Sequence, residues 1–172
     1  MLAKRLNDDI YNYVNNPDFA NGKKTAVGHL TYTEIKWWGE QTLATPDGRA
    51  NGDYFSQGLT PSRLHKISAV TSVLNSLRGL NIENVNANSV VNIILPSNKI
   101  TLDACEGFIR ACAKSNVQSL QLNCVTKEQL LDAQVHPENY RDLIVRVTGF
   151  SALFTSLSPA WQDEFLSRNF YD

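Results

Sequence analysis

The sequence predicts an α/β fold, with a βαβαβ parallel layer and flanking helices. Three observations carry that expectation. After residue 88, short apolar runs of strand type ("SVVNIIL", "SLQLNCV", "DLIVRV") alternate with helical stretches ("TLDACEGFIRACAKSN", "TKEQLLDAQVH"). The lengths of the stretches suit right-handed crossovers between parallel strands. A hydrophobic fraction of 42% and a charged fraction of 19% over 172 residues are those of an ordinary globular chain with material for a core.

Taken in order, residues 3–15 read as a first helix, ended by the Asn, Pro and Gly of "NNPDFANGKK". "TYTEIKWWGEQTL" reads as a second, with Ile35, Trp38 and Leu43 as its inner face. "ATPDGRANGDYFSQGLTPS" then spends nineteen residues, three of them glycine and two proline. A stretch so long and so punctuated points to function rather than simple connection. Pro61 is placed to open a third helix, because its missing N–H costs nothing at the first helical position. Ile67, Val70, Val73, Leu74 and Leu77 follow at helical spacing.

In the second half, Thr126 and Gln129 have the spacing of a capping box for the helix between the second and third strands. Ser158-Pro159 signals a final helix to about Phe170. Parallel strands are covered on both faces, so the third, "DLIVRV", should be buried. Gly149 falls just past its end, where α/β folds tend to place their sites.

Bulk properties exclude several classes. A net charge of -1 argues against a nucleic-acid binder that works by phosphate neutralisation. No apolar run approaches a membrane span, and "MLAKRLNDDIYNYVNN" carries charges where a signal peptide needs its apolar segment, so a cytoplasmic location is expected. Cys105, Cys112 and Cys124 lack paired spacing and read as reduced thiols. Cys105 and Cys112, seven apart, share a helical face as core residues. His29, His65 and His136 are scattered, and no metal site is expected.

Gly149 is the residue that asks for an explanation. It could simply take a backbone shape closed to other residues, or allow close packing. An anion site at a helix N-terminus is disfavoured, because the next helix signal waits until Ser158 and neither GxGxxG nor GxxxxGK[ST] occurs. "GFSAL" is not a nucleophile elbow, since Leu153 stands where GxSxG needs its second glycine.

The segments taken together resemble the C-terminal end of the glycyl radical enzymes, the pyruvate formate-lyase-like lyases and dehydratases. Arg146, Val147, Thr148, Gly149 and Phe150 match that family's R-V-x-G-aromatic motif. "LLDAQVHPENYRDL", "TPDGR" and "GLTPS" match segments that precede it, so the likeness runs from about His29 to the end. The resemblance implies the last part of the family's α/β barrel. Residues 1–87 would be a helical segment closing the pyruvate formate-lyase-like domain, and 88–172 the glycyl-radical domain. Gly149 would carry the radical, with Arg146, Val147, Thr148, Phe150 and Ser151 supporting its loop. Ser62, Arg63 and His65 would be candidate substrate contacts, which could equally be solvent-facing polar residues at a helix start.

The family's chemistry gives the glycine a reason. A carbon radical at Cα lies between an electron-donating amide nitrogen and an accepting carbonyl, and with no Cβ the centre flattens without steric penalty. A dry, buried loop is therefore expected, since oxygen cleaves the chain at such a radical. Arg146 is expected to anchor the strand end rather than to catalyse, because an unpaired buried charge is costly. No cofactor is expected to be bound. The radical would be installed by an iron–sulfur activase using S-adenosylmethionine, which requires the 149 loop to swing out and the last helix to be the looser element.

The family relays the radical to a cysteine far upstream, and none of Cys105, Cys112 or Cys124 matches it. The chain alone should therefore not turn over. It would be the C-terminal fragment or subunit of a larger lyase, or a stand-alone spare part that restores an oxygen-cleaved pyruvate formate-lyase. From another class, it would be a binding module with an ordinary glycine. Expected partners are the activase, an N-terminal portion and a small-molecule substrate, with neither nucleic acid nor membrane. Thr148 and Phe150 stand where Ser, Ala or Cys, and Tyr, are commoner. Those departures point to a divergent lyase or dehydratase branch.

Overall fold

A computed structural model describes residues 2–30, 33–67, 69–85, 87–115 and 117–171. Helix α1 (Leu2–Val14) forms within one residue of the expected 3–15. A short α2 (Pro17–Ala20) follows, started by the Asn16 side chain accepting from the Asp18 N–H. Strand β1 (Gly28–His29) is two residues long.

The second helix is shorter than its pattern, running as α3 over Ile35–Glu40. Thr31 and Tyr32 lie outside the described residues. Ile35 is buried, but Trp38 and Leu43 face outward, so only one of the three expected inner residues is inside. The chain leaves the helix early because Arg49 gathers the carbonyls that follow it. Its guanidinium donates to Thr42 O at 3.1 Å, to Leu43 O and to Asp53 O at 2.7 Å.

Pro61 does not open a helix. Residues 61–67 form turns, Ser68 is outside the described residues, and α4 spans only Val70–Arg78. A local turn and a tertiary contact override the helix signal here: Ser62 Oγ accepts from the Leu64 N–H, and Arg63 reaches away to Glu164.

Strand β2 (Asn88–Leu95), α5 (Leu102–Lys114), β3 (Ser119–Cys124) and α6 (Lys127–Val135) alternate as predicted. Thr101 and Thr126 cap the two helices, accepting from the N–H groups of Ala104 and Gln129. The parallel sheet has the order β1-β2-β3, in the register Gly28↔Asn88 and Val90↔Ser119 through Leu95↔Cys124.

The two faces of β2 lead to different cores. Val91, Ile93 and Leu95 pack with Val73, Leu74 and Leu77 of α4 and Phe108 and Cys112 of α5. Of the two cysteines expected to share that core, Cys112 is buried and Cys105 only half-buried. On the opposite face Ile94 packs with Leu130, Val145, Val147, Phe154 and Phe165. This alternation is the period of two that a strand imposes.

The third predicted strand forms, as β4 (Ile144–Arg146), but it does not join the parallel layer. It pairs antiparallel with β5 (Ser151–Leu153) in a separate hairpin, with Ile144 opposite Leu153 and Arg146 opposite Ser151. The hairpin lies over the sheet face that carries Asn92, Gln121 and Asn123, all buried. Buried amides require partners, and the hairpin backbone laid across the face supplies them to Gln121 and Asn123.

The last helix, α7 (Pro159–Leu166), ends four residues before the predicted Phe170. It is not the loose element expected of it. Phe165 is fully buried against Phe154, Glu164 is 1% exposed, and an isolated parallel bridge joins Phe170 to Ile94.

Candidate radical site

The turn between β4 and β5 is built from Val147, Thr148, Gly149 and Phe150, and is closed by the Val147 N–H donating to Phe150 O at 2.9 Å. Gly149, third in the turn, has φ of +75°, a left-handed shape that glycine adopts without penalty. A Cβ built there would meet nothing within 4 Å. The turn needs glycine for its backbone shape and leaves open space at the Cα hydrogen that a Cβ would replace.

Two amides standing up from β3 grip this segment. Asn123 Oδ1 accepts from the Arg146 N–H at 2.7 Å, and Asn123 Nδ2 donates to Arg146 O at 3.1 Å. Gln121 Oε1 accepts from the Gly149 N–H at 3.2 Å. Residue 146 thus lies against 123 and 149 against 121, so β4 runs opposite in sense to β3. That direction carries Gly149 toward the amino-terminal half of the parallel strands, rather than to the carboxyl ends where such sites are expected.

The expected dry burial is not found at the turn itself. Gly149 is exposed and Phe150 is 45% exposed, while Val147 and Thr148 are buried. Beneath Gly149 lies a cavity of about 250 Å³ with polar walls, including Asn92, Ser119, Gln121, Arg146 and Thr148. Asn92 Oδ1 and Thr148 Oγ1 are buried without hydrogen-bond partners among the described residues. The Arg146 side chain is half-buried and donates to Ser151 Oγ across the hairpin at 3.3 Å.

The buried charge that holds the turn comes from outside the motif. Arg168 Nη1 donates to Val147 O at 3.1 Å, and the guanidinium sits 4.2 Å over the Phe165 ring. Its charge is taken up by Glu164, at 2.7 Å, and that carboxylate also receives Arg63 at 2.6 Å. Gln57 Nε2 donates to Glu164, and Gln57 Oε1 accepts from Asn92 Nδ2 at 3.1 Å. A continuous polar chain therefore runs from α7 through Glu164 and Gln57 to the cavity under Gly149. Burial pushes Arg63 below the ordinary arginine value, and the Glu164 carboxylate opposes that push. The one signal for this network in the sequence is the i,i+4 spacing of Glu164 and Arg168.

"GLTPS" lies along the sheet. Gly58 has φ of +52°, and a Cβ there would fall 2.5 Å from Val90 O. The close approach lets the Leu59 N–H donate to Val90 O at 2.9 Å, while Thr60 Oγ1 accepts from the Asn92 N–H at 2.9 Å. Of the three candidate substrate contacts, Ser62 and Arg63 line a larger cavity of about 880 Å³, walled also by Thr45, Arg49, Tyr54 and Ser167. His65 is exposed and does not line it. The two cavities share none of their lining residues.

The family model described as "Glycine radical" matches residues 55–155, a span that includes the turn. This chain belongs to the glycyl radical enzyme family. It is 33% identical over 136 residues, 76% of its length, to a probable dehydratase of Escherichia coli (strain K12), of which those residues are 17%. It is 30% identical over 170 residues, 97% of its length, to the trans-4-hydroxy-L-proline dehydratase of Clostridioides difficile, covering 22% of that protein. The structure of the B12-independent glycerol dehydratase from Clostridium butyricum, with glycerol bound, superposes with a TM-score of 0.84 at 30% identity, over 99% of this chain and 22% of the dehydratase. The chain thus spans about a fifth of the length of the family members it matches. The α/β architecture with a parallel sheet and flanking helices is that of these glycyl radical enzymes. No helix among the described residues is long and apolar enough to cross a membrane.

Proposed function

We propose that Gly149 stores a radical on its Cα and that this chain is the C-terminal part of a glycyl radical lyase or dehydratase. The observation that carries the reading is the turn. A glycine with φ of +75° sits in the R-V-T-G-F segment, with open space where a Cβ would be, so one Cα hydrogen can be approached and removed. Arg146, Val147, Thr148, Phe150 and Ser151 support it as the two arms of the hairpin. On this reading residues 1–87 close the pyruvate formate-lyase-like domain and 88–172 form the glycyl-radical domain.

An iron–sulfur activase using S-adenosylmethionine takes the hydrogen atom. The radical then passes to a catalytic cysteine on an N-terminal portion, which also supplies most of the pocket for a small-molecule substrate. That portion covers the exposed Gly149 and Phe150 and provides the dry surroundings the radical needs. The lining of the larger cavity by Ser62 and Arg63 supports reading them as substrate contacts, although Glu164 already takes up the charge of Arg63. His65 would need a different arrangement to contact substrate. The location is cytoplasmic.

A fragment or subunit is favoured over a spare part, because the likeness to relatives reaches well upstream of the turn, over 97% of the chain in one case. The test is anaerobic incubation with a cognate activase, followed by electron paramagnetic resonance. A glycine-type doublet, absent from Gly149→Ala, is the expected result. Activated chain that survives air at full length would sink the assignment. Adding an N-terminal portion that contains the cysteine should restore turnover if the chain is a subunit. Restoring only an oxygen-cleaved pyruvate formate-lyase would favour the spare part.

A further inference from the structure

The amides on β3 suggest a role for one residue that the family motif does not include. Gln121 and Asn123, two apart, stand on one face of the strand and are 8% and 4% exposed. Asn123 satisfies both backbone groups of Arg146, as a ladder rung would. Gln121 instead spends its carbonyl on the Gly149 N–H, at 3.2 Å. Arg168 holds Val147 O from the α7 side. The segment is thus held at 146, 147 and 149, and the hold at 149 is Gln121.

We infer that Gln121 is a positioning residue that fixes the peptide plane at Gly149 and so tunes the radical stored there. The inference rests on the radical reading of Gly149. A nitrogen lone pair feeds a half-filled orbital on the neighbouring carbon only when the two are aligned. Gly149 has no side chain, stands exposed, and has nothing among the described residues within 4 Å of a Cβ position, so beyond the burial of Thr148 no packing of its own holds its plane. A hydrogen bond from its own N–H does. Accepting that hydrogen also leaves the nitrogen richer in electron density and better able to donate. The same bond is neutral and single, weak enough to release when the turn must leave the sheet face.

The test compares the full chain with Gln121→Met, which is similar in size but lacks the acceptor, and with Gln121→Glu, which keeps an acceptor. Amide hydrogen exchange is read at Gly149 and, as an internal control, at Arg146. Gln121→Met should exchange the Gly149 hydrogen about fivefold faster, the factor expected for one ordinary hydrogen bond, with Arg146 unchanged. Gln121→Glu should keep wild-type protection at both. After anaerobic activation, the hyperfine coupling of the Gly149 amide proton should change in Gln121→Met and persist in Gln121→Glu, a readout that a purely structural glutamine would not move.

Equal exchange and equal coupling in Gln121→Met and wild type would overturn the inference. So would a Gln121→Glu chain that protects Arg146 normally but exchanges Gly149 fast. If Gln121→Met loses protection at Arg146 as well, the sheet face itself has come apart, and Gln121→Glu decides. A wild-type chain that never shows a doublet overturns the radical reading, and the exchange rates alone then decide whether Gln121 holds Gly149.

Discussion

The parallel sheet and the β4–β5 hairpin are joined in different ways, although they lie face to face. Strands β2 and β3 share a six-residue backbone register, from Val90↔Ser119 to Leu95↔Cys124. Among the described residues the hairpin has no backbone ladder to them. It is held by side chains: Asn123 and Gln121 from below, Arg168 from just past the end of α7, and apolar contacts around Phe154 and Phe165. A ladder opens only when its strand does, whereas a side-chain hold can be released one bond at a time. The scaffold is thus built by the first means and the Gly149 turn by the second, a difference that suits the proposed presentation of the turn to an activase and its return.

The difference can be broken at its strongest point first. Glu164→Leu should leave Arg63 and Arg168 without their carboxylate, and a buried pair that loses one member costs about 3–5 kcal/mol. Chemical denaturation should show that loss, and a change under ~1 kcal/mol would mean that the network is better solvated than its burial implies. Asn123→Ala comes next. It strips the Arg146 N–H and C=O of their partner, and an unsatisfied buried group costs about 1–3 kcal/mol. Protection should fall at Arg146 and persist along β2; equal losses in both would erase the distinction between the two regions.

Gly149→Ala should cost about 1–2 kcal/mol, because an alanine at positive φ is strained even with room for its methyl. The radical signal should vanish entirely while the melting temperature moves by a few degrees. The smallest effect is expected at Tyr171, whose buried hydroxyl has no partner among the described residues. Tyr171→Phe should be neutral or slightly stabilising by denaturation. Burial raises the Tyr171 phenol to about 12. The folded protein therefore keeps this proton longer than the unfolded chain, which loses it near ~10. The contribution is present below that value and is lost as pH rises to about 12, so Tyr171→Phe should flatten this alkaline decline.

The same contrast explains what could be read in advance. The β2-α5-β3-α6 run was legible because its signals are local: apolar strands, and Thr101 and Thr126 at the helix starts. The Gly149 turn was legible from its motif. The placement of β4 was not, since strand pattern says nothing of whether a strand joins an edge or crosses a face. A hint was present in Asn92, Gln121 and Asn123, polar residues at positions where buried parallel strands are usually apolar. The turn of Arg63 away from a helix after Pro61 and the hold of Arg168 on the hairpin were decided by distant partners. Glu164 and Val147 O set those outcomes, and no local window contains both members of either pair.

The way the chain's end is tied down has a consequence for damage. Beyond Gly149 the polypeptide is pinned by β5 pairing with β4, by Phe165 in the core, by the Arg168–Glu164 pair and by Phe170 beside Ile94. A backbone break at that glycine would therefore nick the protein without shedding its tail. Denaturing gels would show two pieces where gel filtration still shows one particle. Any replacement part would first have to evict a segment that is still docked.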